Sequence, residues 1–205
     1  MEKALTIDNI LNKKYKLFDF TGEWEEAFSK PERRGVWFIW GNSGNGKTRF
    51  TMQLAKYLTE FGRVLYNSLE EGSSHTIRKA FEEVGMREVK KRMLLVSEPL
   101  AKLNERLKKQ RCANVIIIDS FQYCQISYKQ YIAFKEEHKD KLIIFVSHAD
   151  GKQPAGRAAK SVMYDATLKI WVEGFKAISK GRYIGEKGHY MVWEDGAYEY
   201  WRELN

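Results

Sequence analysis

The 205-residue chain is poor in cysteine and proline, with two of the first, Cys112 and Cys124, and three of the second. Two thiols exclude a disulfide-stapled secreted scaffold, and neither stands at metal-ligand spacing. The four histidines are scattered and form no cluster. No apolar run approaches the ~20 residues of a membrane-spanning helix. The first residues are acidic and polar and lack the apolar stretch of a signal peptide. Internal repeats and low-complexity tracts are also missing. These absences argue for a cytosolic protein that is not embedded in a membrane.

Apolar residues make up 43% of the chain and charged residues 30%, a globular balance for one well-buried domain. The net charge is +8, from 35 basic and 27 acidic residues. Such an excess favours polyanions, nucleic acid first among them, through counterion release. A soluble surface with spare lysines is the equally open alternative. Lys90, Lys91 and Arg92, then Lys108, Lys109 and Arg111, read as solvated helix faces.

Residues 1–34 are mixed and polar, with aromatic anchors at Tyr15, Phe18, Phe20, Trp24 and Phe28. They read as a lead-in segment that ends at Lys30-Pro31-Glu32, leaving 35–205 as the core domain. Residues 36–40, Val-Trp-Phe-Ile-Trp, suit a strand buried on both faces. Residues 47–60 have helical spacing and stop at Gly62. Strands follow at 64–67, 93–96, 115–119 and 142–147, with helices at about 74–84 and 99–110. Strands alternating with helices predict an α/β fold with a mainly parallel, twisted sheet flanked by helices. After Asp165, alternation at Leu168, Ile170 and Val172 and a turn at Glu173-Gly174 predict antiparallel strands at the C-terminal edge.

Between the first strand and the first long helix lies Gly41-Asn42-Ser43-Gly44-Asn45-Gly46-Lys47-Thr48, a complete P-loop pattern. Glycines let the backbone N–H groups turn inward around phosphates, and the helix dipole favours the anion. Lys47 is the cation for the β and γ phosphates and Thr48 a Mg²⁺ ligand, while Arg49 extends the nucleotide contact. Asp119 closes the apolar run 115–118, where a carboxylate faces the ligand crevice of an α/β sheet and can support Mg²⁺. Glu70 follows the strand 64–67 and is the candidate to orient the attacking water. Alternatively, Glu70 and Glu71 form an ordinary acidic loop.

The order of these motifs resembles the RecA-like P-loop ATPases, the group that includes RadA and the DnaB-type helicases. Tyr66-Asn67-Ser68-Leu69-Glu70-Glu71-Gly72 with Thr76-Ile77-Arg78-Lys79-Ala80 is similar to that group's second-strand segment, whose first glutamate is the catalytic base. Ile118-Asp119-Ser120-Phe121-Gln122 resembles the RadA metal-supporting segment. Phe145-Val146-Ser147-His148 with Gly151 resembles the strand before the second DNA-contacting loop, which makes His148 a sensor residue. Lys180-Gly181-Arg182-Tyr183 resembles the Lys-x-Arg motif, whose cations reach a neighbouring subunit's γ-phosphate. The resemblance covers residues 35–185 and implies ATP and Mg²⁺ as cofactors and a ring or filament of identical subunits. RadA's zinc module and protease-like domain have no counterpart here, and neither has the helicase's N-terminal domain. The layout is that of a core-only form, similar to phage-type recombination or annealing ATPases.

On this resemblance, residues 150–161 form a mobile loop whose Lys152, Arg157 and Lys160 contact single-stranded DNA. Tyr123 and Tyr128 offer stacking surfaces or simply pack, and the three cations can equally be solvated. The expected function is a Mg-dependent ATPase coupled to single-stranded DNA in recombination, annealing or repair. A helicase-like motor core, an ATP-switched assembly module and a kinase on the same loop are the alternatives. A GTPase is disfavoured, because Asn12-Lys13-Lys14-Tyr15 precedes the P-loop and no base-reading Asn-Lys-x-Asp follows it.

Overall fold

The computed structural model describes residues 4–203. After two short helices, α1 (Ile7–Leu11) and α2 (Glu23–Phe28), come β1 (Gly35–Gly41), α3 (Lys47–Leu58), β2 (Val64–Ser68) and α4 (His75–Glu83). Next are β3 (Met93–Val96), α5 (Leu100–Leu107), β4 (Val115–Asp119), α6 (Phe121–Cys124) and α7 (Tyr128–Glu137). The chain closes with β5 (Leu142–Asp150), β6 (Gln153–Pro154), α8 (Arg157–Asp165), β7 (Leu168–Glu173), β8 (Lys176–Ser179), β9 (His189–Met191) and α9 (Glu194–Glu203).

The sheet order is β3-β2-β4-β5-β1-β7-β8-β9, with β6 off this path and paired to β5. Strands β3, β2, β4, β5, β1 and β7 run parallel, while β8 and β9 are antiparallel additions at the edge. The Glu173-Gly174 hairpin is antiparallel as its sequence predicts. Its first strand, however, joins β1 in parallel: α8 carries the chain back across the sheet, and a crossover of this kind aligns the strands it connects. That helix begins inside the stretch read as a loop, and its buried stripe is Ala159, Val162 and Met163.

Alternation along β1 divides the core. Trp37 and Ile39 face α3 with Phe50, Leu54 and Tyr66, while Val36, Phe38 and Trp40 face α5, α7 and α8 with Leu103, Tyr131 and Val162. Burying a leucine such as Leu54 contributes roughly 1.5–3 kcal/mol. Phe18, Phe20 and Phe28 sink into the α3 side of the core, Phe18 lying edge-on to Trp37 at 5.7 Å. Tyr15 is exposed, and Trp24 stacks on Tyr57 at 4.9 Å and on Tyr190 at 4.1 Å. Ser74 and Ser127 cap α4 and α7 by accepting backbone N–H bonds from Ile77 and Gln130. Among the described residues, no helix is long and apolar enough to cross a membrane. Cys112 and Cys124 are both free, and burial pushes the Cys124 thiol up to about 12, so that it stays protonated.

Candidate nucleotide site

Parallel pairing brings the C-terminal ends of β1, β2, β4 and β5 to one rim. In register, Ser68 lies beside Asp119, Asp119 beside Val146, and Gly41 beside His148. β5 therefore separates the strand carrying the P-loop from the strand carrying Asp119, and the crevice opens where the chain leaves β1 for the far side of the sheet.

The loop is shaped by close packing. A Cβ on Gly41 would stand 2.4 Å from the Val172 carbonyl oxygen, so only glycine allows β1 to pass β7 there. Gly46 has φ 88° and a would-be Cβ 2.8 Å from the Phe175 ring. The turn between β7 and β8 grips the loop: Gly174 N–H donates to Asn45 Oδ1 at 2.8 Å and Phe175 N–H to the Asn45 carbonyl at 3.2 Å. Asn42 Nδ2 donates to the Gly151 carbonyl at 3.1 Å, which ties the loop to the end of β5. Helix α3 begins at Lys47 with Gly46 as N-cap, no side-chain cap and no acid in its first turn. Its leading N–H groups thus form an anion-binding end.

Asp119 receives the Tyr66 hydroxyl on Oδ2. Burial holds the Asp119 carboxyl above the usual carboxylate range, although the Tyr66 bond and the Lys47 ammonium pull it down. Burial and the same carboxylate push Tyr66 well up, so it remains a donor. Glu70 stands at the end of β2, and its Oε2 lies 3.1 Å from His148 Nε2. Gln122 completes the network: its Oε1 accepts the His148 N–H at 3.2 Å, and its Nε2 donates to Ser147 Oγ at 2.8 Å and to the Ala155 carbonyl at 3.0 Å. Lys47, Thr48, Glu70, Asp119 and His148 therefore meet at one rim. Arg49 sits in the first turn of α3 with its guanidinium 5.7 Å from the Trp193 ring centre. Its buried Nε has no hydrogen-bond partner among the described residues.

Other predicted residues lie apart. The expected mobile loop is built differently: β5 continues to Asp150, Gly151-Lys152 turn into β6, and α8 starts at Arg157. Pairing of Ala149 with Pro154 and Asp150 with Gln153 removes the slack that the glycines suggest. Lys152 is thus a turn residue, and Arg157 and Lys160 occupy the first turn of α8. All three are exposed, and none makes an ion pair among the described residues. Tyr123 and Tyr128 belong to α6 and α7, not to a loop, and Tyr128 stacks on Tyr131 at 5.6 Å. The Lys180 N–H bonds to Lys169, level with Phe38, and the Arg182 N–H to Thr167, level with Val36. These levels are three and five residues below Gly41, roughly 10 and 16 Å at about 3.3 Å per strand residue. The chain's own phosphate loop and its Lys-x-Arg motif are not brought together.

Two side chains that build the candidate site escaped the sequence reading, Tyr66 on Asp119 and Gln122 on His148. Both stand inside recognisable motifs, but their partners come from other strands, so no local spacing marks them. The donors fit the implied cofactors: a bare helix end and Lys47 for phosphates, Thr48 and Asp119 for a hard cation that keeps most of its water. Among the described residues no group of three or more His, Cys, Asp or Glu is placed to hold a metal ion.

No protein-family model and no curated protein sequence matches the chain. Solved structures do. The flagellar accessory protein FlaH of Methanocaldococcus jannaschii is similar at TM-score 0.60 and 17% identity, over 86% of this chain and 92% of that one. A KaiC-like protein of Pyrococcus horikoshii OT3 is similar at TM-score 0.59 and 16% identity, over 82% of this chain and 94% of that one. With the P-loop pattern ending β1 and an acid ending β4 across the inserted β5, this chain shares the fold of these structures, a RecA-like P-loop fold.

Proposed function

We propose that the protein is a Mg²⁺-dependent ATPase whose turnover is coupled to single-stranded DNA in recombination, annealing or repair. The observation that carries the reading is the convergence of Lys47, Thr48, Glu70 and Asp119 on one rim, drawn from three different strand ends. The α3 N-terminus and Lys47 hold the phosphates of ATP, and Thr48 and Asp119 support Mg²⁺. Bound there, the ion neutralises charge that develops on the phosphates. Glu70 orients and deprotonates the attacking water, and its contact with His148 holds it in reserve until the nucleotide is in place.

DNA binds on the side of Lys152, Arg157 and Lys160, where the cations lack acidic partners among the described residues. Lys180 and Arg182 lie too far from their own phosphate loop to act on it, which favours a role at a neighbouring subunit's site in a homo-oligomer. The Glu70–His148 contact also favours a second reading, an assembly switch set by ATP with little turnover.

ATP hydrolysis measured with and without single-stranded DNA tests both. The ATPase reading expects DNA stimulation in the wild type and its loss in Lys47→Ala and Glu70→Gln. DNA binding that survives Glu70→Gln, with wild-type turnover near zero, establishes the switch instead. Turnover indifferent to DNA, with no binding at low salt, removes the nucleic-acid half.

A further inference from the structure

On the α8 face of the sheet, away from α3, a groove of about 440 Å³ runs between α8 and the β7–β8 edge. Its lining includes Trp40, Trp171, Tyr164, Lys152, Lys169 and Lys180. The rings of Trp40 and Trp171 are 5.6 Å apart and almost fully buried, so they form a floor. Both indole N–H groups are already used, by the Lys152 carbonyl at 3.2 Å and Glu173 Oε2 at 3.0 Å. What the floor presents to a ligand is therefore apolar ring. Tyr164 is different: it is 69% exposed on the last turn of α8, with the Lys169 ammonium 5.9 Å from its ring centre.

Lys152, Lys169 and Lys180 make no ion pair among the described residues. Among the described residues the one carboxylate in the lining, Glu173, is engaged by Trp171. The cations do not converge on a point. Lys152 lies at the turn after β5, beside Trp40, while Lys169 and the Lys180 N–H lie level with Phe38. Cations spread along an apolar, aromatic channel suit a chain of phosphates carrying planar rings. A mononucleotide would want converging N–H donors, as at the P-loop, and an acidic peptide would leave the aromatic floor unused.

We infer that this groove is the track for single-stranded nucleic acid, with Tyr164 as the stacking platform for one base and Lys152 and Lys169 as phosphate contacts. The inference rests on the DNA reading above and moves the centre of binding from Arg157 and Lys160 to the Tyr164 groove. Lys180 lines its far end.

The test is fluorescence anisotropy of a labelled oligo-dT and of an abasic oligomer of equal length, across a salt series. Wild type is compared with Tyr164→Ala, Tyr164→Phe and Lys169→Ala, with thermal unfolding as the fold control. Tyr164→Ala is expected to weaken oligo-dT binding roughly 5- to 150-fold, the span of one lost base stack. Tyr164→Phe should bind as wild type, and the abasic oligomer should be insensitive to Tyr164→Ala. Lys169→Ala should reduce the slope of log K against log salt by about 1. If wild type binds oligo-dT and both alanine variants match it, the groove is wrong while the DNA reading stands. If wild type binds neither oligomer at low salt, both fall. Tighter binding of a mononucleotide than of oligo-dT would also overturn the single-strand assignment.

Discussion

The replacement Asp119→Asn should stabilise the metal-free protein while disabling it. Burial is the largest influence on the Asp119 carboxyl and raises its pKa, helped by Glu70 and Glu71, and the Tyr66 hydroxyl and Lys47 only partly offset it. A carboxyl whose folded pKa is raised contributes stability below its unfolded value of 3.8, and this is lost as pH rises through the folded value. At neutral pH the folded chain therefore carries the ionised group at a penalty of about 1.4 kcal/mol for each pKa unit of the difference. Asparagine keeps the shape and can still accept the Tyr66 hydroxyl through Oδ1, but carries no charge to desolvate. For a chain of this size each such unit corresponds to about 3–6 °C in Tm. Thermal unfolding in EDTA, without nucleotide, between pH 3 and pH 8 measures this. The variant should melt above wild type at pH 7, the gap should close toward pH 3, and its ATP turnover should be lost. A variant that melts below wild type at pH 7, or a gap of constant size across the series, would refute the argument that burial dominates this carboxyl.

Asp165→Asn should do the opposite. Burial there opposes ionisation, but the Lys135 ammonium at 2.8 Å and the Tyr131 hydroxyl outweigh it and hold the carboxyl low. Stability from such a group is present above the unfolded value and lost as pH falls through the folded one. Urea unfolding should thus show the variant weaker by roughly 1.5–3 kcal/mol at pH 7, with little difference in strong acid. If Arg182 serves a neighbour's site, Lys47→Ala and Arg182→Ala are each inactive alone. Mixed in equal amounts, the two should recover about a quarter of the wild-type ATP turnover, because a random assembly pairs intact halves at that frequency. No recovery places Arg182 outside the neighbour's site.

The parts of the site that were legible in the sequence are those encoded by contiguous residues. Five hydrophobic residues before Gly41 and a helical stripe after Lys47 specify the P-loop's strand and helix, and four aliphatics before Asp119 specify β4. What could not be read depends on pairing between distant segments. Tyr66 reaches Asp119 only because β2 lies beside β4, and His148 reaches Glu70 only because β5 extends past its neighbours. Residues 150–161 read as a flexible loop because two glycines and three cations dominate the local composition. The two backbone pairs with β5 that order part of this stretch have no local signature. In α7 a capping box at Ser127 and Gln130 marks the start. The aromatic-rich sequence that follows has weak helical periodicity, so the helix itself was not expected.

Gln122 gives these distant pairings a mechanical consequence. One side chain holds Ser147 Oγ, the His148 backbone and the Ala155 carbonyl, while the His148 ring touches Glu70. Ala155 ends the hairpin that starts at Lys152, so a displacement of that hairpin by a bound strand is carried to Ala155, through Gln122 to His148, and to the carboxylate beside the phosphates. Two sites are coupled only if a shared element responds to both, and among the described residues Gln122 is the single side chain bonded to both the hairpin and the sensor strand. Gln122→Ala should therefore leave oligo-dT affinity and DNA-independent turnover within about twofold of wild type and reduce the stimulation of ATPase by DNA. Gln122→Glu keeps the acceptor for the His148 N–H but loses the Nε2 donor to the Ala155 carbonyl, so it should lose the stimulation as well. Turnover measured against oligo-dT concentration separates the two effects. Full stimulation in Gln122→Ala would mean that the hairpin and Glu70 communicate by another route, or not at all.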